Sequence, residues 1–151
     1  MTNNVLVFLS AMAPISELRG AIPLGIALGM PPFKVFFISI IGNILPIPFL
    51  IIFSRPVIQF FKRFAIFEKI LTSIEQNATK KAYKIKGYIA LGLYLLVAAP
   101  LPGTGAWTGS LIAAVLNLRL KYAIPIICAG VLTAGVIVLI LSFGTIHLFG
   151  I

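Results

Sequence analysis

Eleven residues from Ala99 to Gly109, Ala-Pro-Leu-Pro-Gly-Thr-Gly-Ala-Trp-Thr-Gly, interrupt a chain that is otherwise strongly apolar. Two prolines and three glycines cannot continue an α-helix, because proline lacks the N–H and clashes with the preceding turn while glycine carries extra backbone entropy. The helix must unwind here. Unwound backbone at membrane depth leaves N–H and C=O groups unpaired at several kcal/mol each, and it persists only where protein or a water-filled cavity satisfies them. Such a break is therefore a candidate site.

A partner lies earlier in the chain, in Ala13-Pro14-Ile15-Ser16-Glu17-Leu18-Arg19-Gly20-Ala21-Ile22-Pro23-Leu24-Gly25. Ala13-Pro14 aligns with Ala99-Pro100 at an offset of 86, Gly20-Ala21 with Gly105-Ala106 at 85, and Lys34 with Lys121 at 87. The order is the same both times: a break, a short apolar helix, a basic residue, then a full-length apolar run. This predicts a two-fold repeat.

The membrane assignment rests on composition. Sixty per cent of the 151 residues are hydrophobic and 10% charged, outside the range of soluble globular domains. The net charge of +9 would suggest nucleic acid in a soluble chain, but eight of the twelve Lys and Arg lie between Arg55 and Lys86. That clustering fits the positive-inside rule and anionic headgroups, so no nucleic-acid partner is expected and the basic stretch is placed in the cytoplasm. One Cys, one His and no Asp exclude an intramolecular disulfide and a metal cluster, and no nucleophile–base pair is visible. Neither an enzyme nor a cofactor is expected. Val5 to Ala13 ends in a small-residue pattern that mimics a signal-peptide cleavage site, but no basic residue precedes it, so it reads as a retained membrane segment.

Val5–Ala13, at about 1.5 Å per residue, covers less than half of a ~30 Å hydrocarbon core. With Gly20–Met30 it forms either one broken span or a re-entrant hairpin. Phe33–Phe53 is long enough to cross, and Asn43, Pro46 and Pro48 within it need protein neighbours along one side. Val57, Phe60, Phe61, Phe64, Phe67, Leu71 and Ile74, spaced by three and four, predict an amphipathic helix, lying in the membrane interface or folded over its own bundle. Tyr88–Ala99 and Ala106–Leu118 flank the second break, and Tyr122–Phe143 is the last full span. A hairpin keeps Arg119 and Lys121 on the side of the basic stretch, which favours hairpins over broken spans. The expected fold is thus an all-α integral membrane protein with two inverted repeats. Each is a re-entrant helical hairpin followed by a transmembrane helix, residues 1–54 and 88–151, joined by a basic amphipathic interfacial helix within 55–87. Both breaks then meet near the midplane, the architecture of many secondary transporters.

Glu17 is the one acid inside a membrane segment, two residues before Arg19. Intramembrane ionisable groups are costly and commonly mark a substrate or proton path, although here the pair could simply neutralise itself and pin the turn. Arg19 with Gly20 and Pro23 resembles a helix start with proline in its first turn, suited to an anion. Around the second break, Thr104 and Thr108 offer hydroxyls, and Gly103 and Gly105 allow close backbone approach; Gly105 and Gly109 also satisfy a small-xxx-small packing pattern. Trp107 reads as an interface anchor or groove filler, with stacking on a ligand as the alternative. Pro14, Pro100 and Pro102 shape the two turns and complete the candidate set.

The phrases from Glu17 to Gly25 and from Ala99 to Gly109 resemble those of the small multi-drug export protein family, over nearly the whole chain. That family is in turn distantly similar to the DedA membrane proteins, which have re-entrant hairpins each followed by a span and are linked to lipid-carrier translocation and proton-coupled transport. The expected function is a secondary transporter of the plasma membrane, proton-coupled through Glu17, with a site at the two breaks, and the resemblance implies export of a small molecule; a flippase or scramblase of a phosphorylated carrier lipid and a non-transporting scaffold are the alternatives. Expected partners are membrane lipids, protons and a small-molecule or lipid substrate, with Arg19 favouring an anionic one. Two spans leave much of both hairpins facing lipid, so a homo-oligomer is expected, most simply a dimer. The particle mass in lipid nanodiscs is expected to equal two chains; a monomer at micromolar concentration overturns that expectation.

Overall fold

The computed structural model describes residues 2–61, 82–101 and 103–149. Its elements are helices α1 (Thr2–Met12), α2 (Glu17–Ala27), α3 (Pro32–Ile44), α4 (Pro46–Phe61), α5 (Ala82–Ala98), α6 (Ala106–Val115) and α7 (Leu120–Phe149). Among the described residues all regular structure is helical, with two helices long and apolar enough to cross a membrane, Pro32–Ile58 and Leu120–Thr145. The first of these comprises α3 and most of α4. Pro46 has no N–H to give the Gly42 carbonyl, so the ladder is interrupted, but Leu45 keeps right-handed helical geometry and bonds Ile41 O at 3.0 Å. The axis therefore continues.

Several boundaries differ from the sequence expectation, each for a local reason. The α4 helix runs past Phe53 to Phe61 and carries Pro56 inside it. The amphipathic pattern expected beyond that point, from Phe64 to Ile74, lies outside the described residues. The α2 helix starts at Glu17 rather than Gly20, which moves Pro23 from the first turn into the second. There it deprives the Arg19 carbonyl of its helical donor.

The α2 and α6 helices end in the same way. Gly29 at φ 73° follows α2, with Met30 N–H on Gly25 O (3.1 Å) and Gly29 N–H on Ile26 O (2.9 Å). Asn117 at φ 50° follows α6, with Leu118 N–H on Ala113 O (2.9 Å) and Asn117 N–H on Ala114 O (3.1 Å). Both are Schellman closures, and both use a residue type that tolerates the left-handed region. This is why α6 stops at Val115 instead of running to Leu118.

Packing repeats between the halves. The α1 helix packs on α3 as α5 packs on α7, while α2 also packs on α7 and α6 on α4. Each first pairing depends on a glycine. A methyl group at Gly42 would lie 2.8 Å from Phe8 O and 3.0 Å from Ala11 Cβ; one at Gly130 would lie 2.7 Å from Val97 Cβ and 3.1 Å from Tyr94 O. Gly25 meets Val7 and Val35 in the first half, and Gly109 meets Leu93, Val97 and Ile127 in the second. The two long helices run antiparallel: Arg55 Nη2 donates to Leu118 O (2.5 Å) at one end, and Gly135 receives Ile40 and Phe36 farther along. Leu18, Ile22, Val35, Ile47, Ile51, Val97, Ile127 and Val131 fill the interior, whereas Phe33, Phe37, Phe49, Phe53 and Ile140 are exposed, as lipid-facing residues are.

Gly42→Val and Gly130→Val are expected to lower stability by about 1–3 kcal/mol each, the scale of overpacking a closed contact. Gly92→Ala, at a position with nothing within 4 Å, is expected to leave stability unchanged or slightly raised. Thermal melting in detergent distinguishes the three.

Candidate functional site

The first break is tight. After α1, Glu17 N–H bonds Ala13 O (2.9 Å) and Gly20 N–H bonds Ser16 O (2.8 Å), while the Ser10 and Ser16 hydroxyls lie 2.7 Å apart. Glu17 sits at φ 48°, a left-handed conformation costing about 1–3 kcal/mol for such a residue, and it is only 5% exposed. Its side chain crosses to the other half. Oε1 accepts the Trp107 backbone N–H (3.2 Å) in the first turn of α6. That helix begins after Gly105, which has no side chain to cap it. The α6 N-terminus carries unpaired N–H groups and a partial positive charge, and Glu17 supplies the oxygen that a local Asp or Ser would otherwise provide. Gly105, at φ 155°, is required for this approach, since a β-carbon there would overlap the Glu17 carboxylate.

Arg19 makes the opposite connection. Its Nη1 lies 3.6 Å from Glu17 Oε2, and its Nη2 donates to Ala99 O (2.6 Å), to the Thr104 hydroxyl (3.2 Å) and, at 3.4 Å, to Val97 O. Val97 and Ala99 belong to the end of α5, where carbonyls lack helical donors and carry partial negative charge, so a cation is well placed there. The Thr104 hydroxyl lies 3.0 Å from Ala99 O and 2.9 Å from Leu101 O, and the Thr108 hydroxyl donates to Gly103 O (2.8 Å). Trp107 Nε1–H donates to Met12 O (3.1 Å), the last residue of α1. Thus α1 and α5 each end on a side chain from the opposite half.

Between the breaks lies an open cavity of about 540 Å³, lined by Pro14, Ile15, Ser16, Glu17, Arg19, Gly20, Pro100, Gly103, Thr104 and Thr108. Eight of these were singled out from sequence; Ile15 and Ser16 were not. Gly105 and Trp107 stand behind the cavity, holding Glu17 and the end of α1, Pro23 lies within α2, and Pro102 falls outside the described residues. Sequence reasoning also missed the main-chain acceptors at Met12, Val97 and Ala99. A signal for them existed: a helix ending inside a membrane leaves carbonyls that some donor must meet, and Arg19 and Trp107 are the strong donors nearest the breaks.

No curated protein and no solved structure shows significant similarity to the chain. A family match does exist. Residues 17–137 fit the family described as "Putative small multi-drug export protein", a range that begins at Glu17 just after the first break, contains the second break and ends within α7. With four-fifths of its length inside that match, the chain belongs to the small multi-drug export protein family.

Proposed function

We propose that the protein is a proton-coupled secondary transporter that exports a small molecule through the cavity between the two breaks. The halves act as inverted repeats, each a re-entrant pair of short helices followed by a spanning helix. Support comes from the antiparallel long helices, from the matching contacts at Gly42 and Gly130, and from Gly25, whose contacts with Val7 and Val35 set α2 back alongside α1 and the start of α3.

The observation that carries the reading is the Glu17–Arg19 pair, Glu17 buried and Arg19 half-buried, where helix ends of both halves converge on one cavity. A charged Glu17 holds both Arg19 and the α6 N-terminus through charge-assisted contacts, roughly twice as strong as neutral ones. A proton on the carboxyl removes the charge from both at once. The ties from the first break to α6 and to Arg19 then loosen together, and the halves can rock about the cavity in alternating access. The cavity volume lies within the roughly 300–1,000 Å³ of small-molecule sites. Arg19 and the α6 N-terminus select an anionic group, which replaces the Glu17 carboxylate as their partner when that carboxylate is neutralised. Pro14 and Pro100 offer apolar walls to the rest of the molecule.

In proteoliposomes carrying a pH gradient, Glu17→Gln is expected to reduce proton-driven counterflow by about tenfold or more, equivalent to ~1.4 kcal/mol of barrier, with normal insertion. Lipid phosphates, small organic anions and lipophilic cations serve as candidate substrates. Wild-type behaviour of the variant with every substrate overturns the reading. Gly105→Ala keeps the carboxylate but displaces it from the α6 N-terminus, and it is expected to lose counterflow as Glu17→Gln does; full activity in Gly105→Ala breaks the link between coupling and that helix end.

A further inference from the structure

A second polar feature lies in the bundle interior, on α3. Ser39 and Asn43 are one helical turn apart and both 0% exposed, and neither the Ser39 hydroxyl nor either end of the Asn43 amide has a hydrogen-bond partner among the described residues. Serine and threonine in apolar helices commonly bond the carbonyl one turn earlier. Ser110 does so on Ala106 O (2.6 Å) and Thr133 on Ala129 O (3.0 Å), but Ser39 does not. The adjacent Gly42 carbonyl also lacks its helical donor, because residue 46 is proline. Two side chains one turn apart therefore hold open polar groups, next to a carbonyl without its helical donor, inside a segment that packs on α1, α2 and α7.

The kind of open valence identifies the guest. The Ser39 O–H and the two Asn43 amide hydrogens are donors, while Ser39 Oγ, Asn43 Oδ1 and the Gly42 carbonyl are acceptors. A metal cation would satisfy the acceptors and meet the amide hydrogens unfavourably. An apolar guest would satisfy neither. Water satisfies both, and buried water characteristically makes two to four hydrogen bonds to otherwise unpaired groups. We propose that Ser39 and Asn43 form an internal water-binding site, holding at least one water molecule within the bundle. Gly42 contacts Phe8 and Ala11 near the end of α1, so the site stands at the depth where α1 gives way to the first break. It places exchangeable protons in the interior beside the break that holds Glu17.

The test is water-to-protein polarisation transfer by solid-state NMR on the full chain in bilayers of deuterated lipid. Gly42–Asn43 is the sole Gly–Asn pair in the sequence, so ¹³C-carbonyl glycine with ¹³C,¹⁵N-asparagine labelling assigns the Asn43 backbone and, through its own carbons, its side-chain amide without any substitution. The Asn43 side-chain amide is expected to receive polarisation from water despite its burial, and Ser39→Ala is expected to weaken that transfer by about twofold through loss of one anchoring group. Absence of transfer to Asn43 in the wild-type protein overturns the proposal. So does a shift of the Asn43 amide signal on exchanging potassium for sodium, which would identify a cation as the guest. Neither outcome depends on transport, so the proposed exporter mechanism stands or falls separately.

Discussion

A helix that ends within a packed apolar bundle exposes main-chain groups that need partners, and this constraint organises the protein. Two breaks create four such ends. The structure closes three of them across the halves: Glu17 on the N-terminus of α6, Arg19 on the C-terminus of α5, and Trp107 on the C-terminus of α1. Contacts between a charged group and a main-chain partner are worth about 1.5–3 kcal/mol, and leaving a buried partner unmet costs a similar amount again. Neither half can satisfy these ends alone. The breaks thus hold the bundle together at the place where regular structure is missing.

The same geometry explains why Glu17 tolerates a left-handed backbone. Its φ of 48° aims the carboxylate at the α6 N-terminus while its neighbour Arg19 reaches α5, and Gly105 leaves the space that the carboxylate enters. Strain in the first half is offset by bonds in the second. In the proposed exporter, a proton on Glu17 would weaken its ties to α6 and to Arg19 together. Both short helices end in a Schellman closure, and each packs through a glycine, Gly25 or Gly109.

Much of the architecture was legible in the residues. Apolar run lengths gave the two long helices, the Pro/Gly clusters gave both breaks, and Glu17 and Arg19 stood out because charge is rare in such a chain. Local boundaries were less legible. Helix α2 begins at Glu17, a residue in the left-handed region whose side chain bonds α6, a long-range contact that no propensity scale registers. Trp107 was read as an anchor or filler, yet its indole N–H meets a carbonyl 95 residues away. Asn43 calls for neighbours to pair its amide; the structure buries it without a hydrogen-bond partner among the described residues.

The sequence by itself determined the solvent, the number of long apolar helices and the places where helix could not continue, because these follow from transfer free energy and from the covalent limits of proline and glycine. Tertiary structure alone decided which orphaned helix end met which side chain. Hydrogen-bond partners at separations of 78 to 95 residues depend on how the halves are juxtaposed, and no local pattern encodes that. The role of Glu17 shows the difference most directly: in the chain it opens α2, and in space it caps α6.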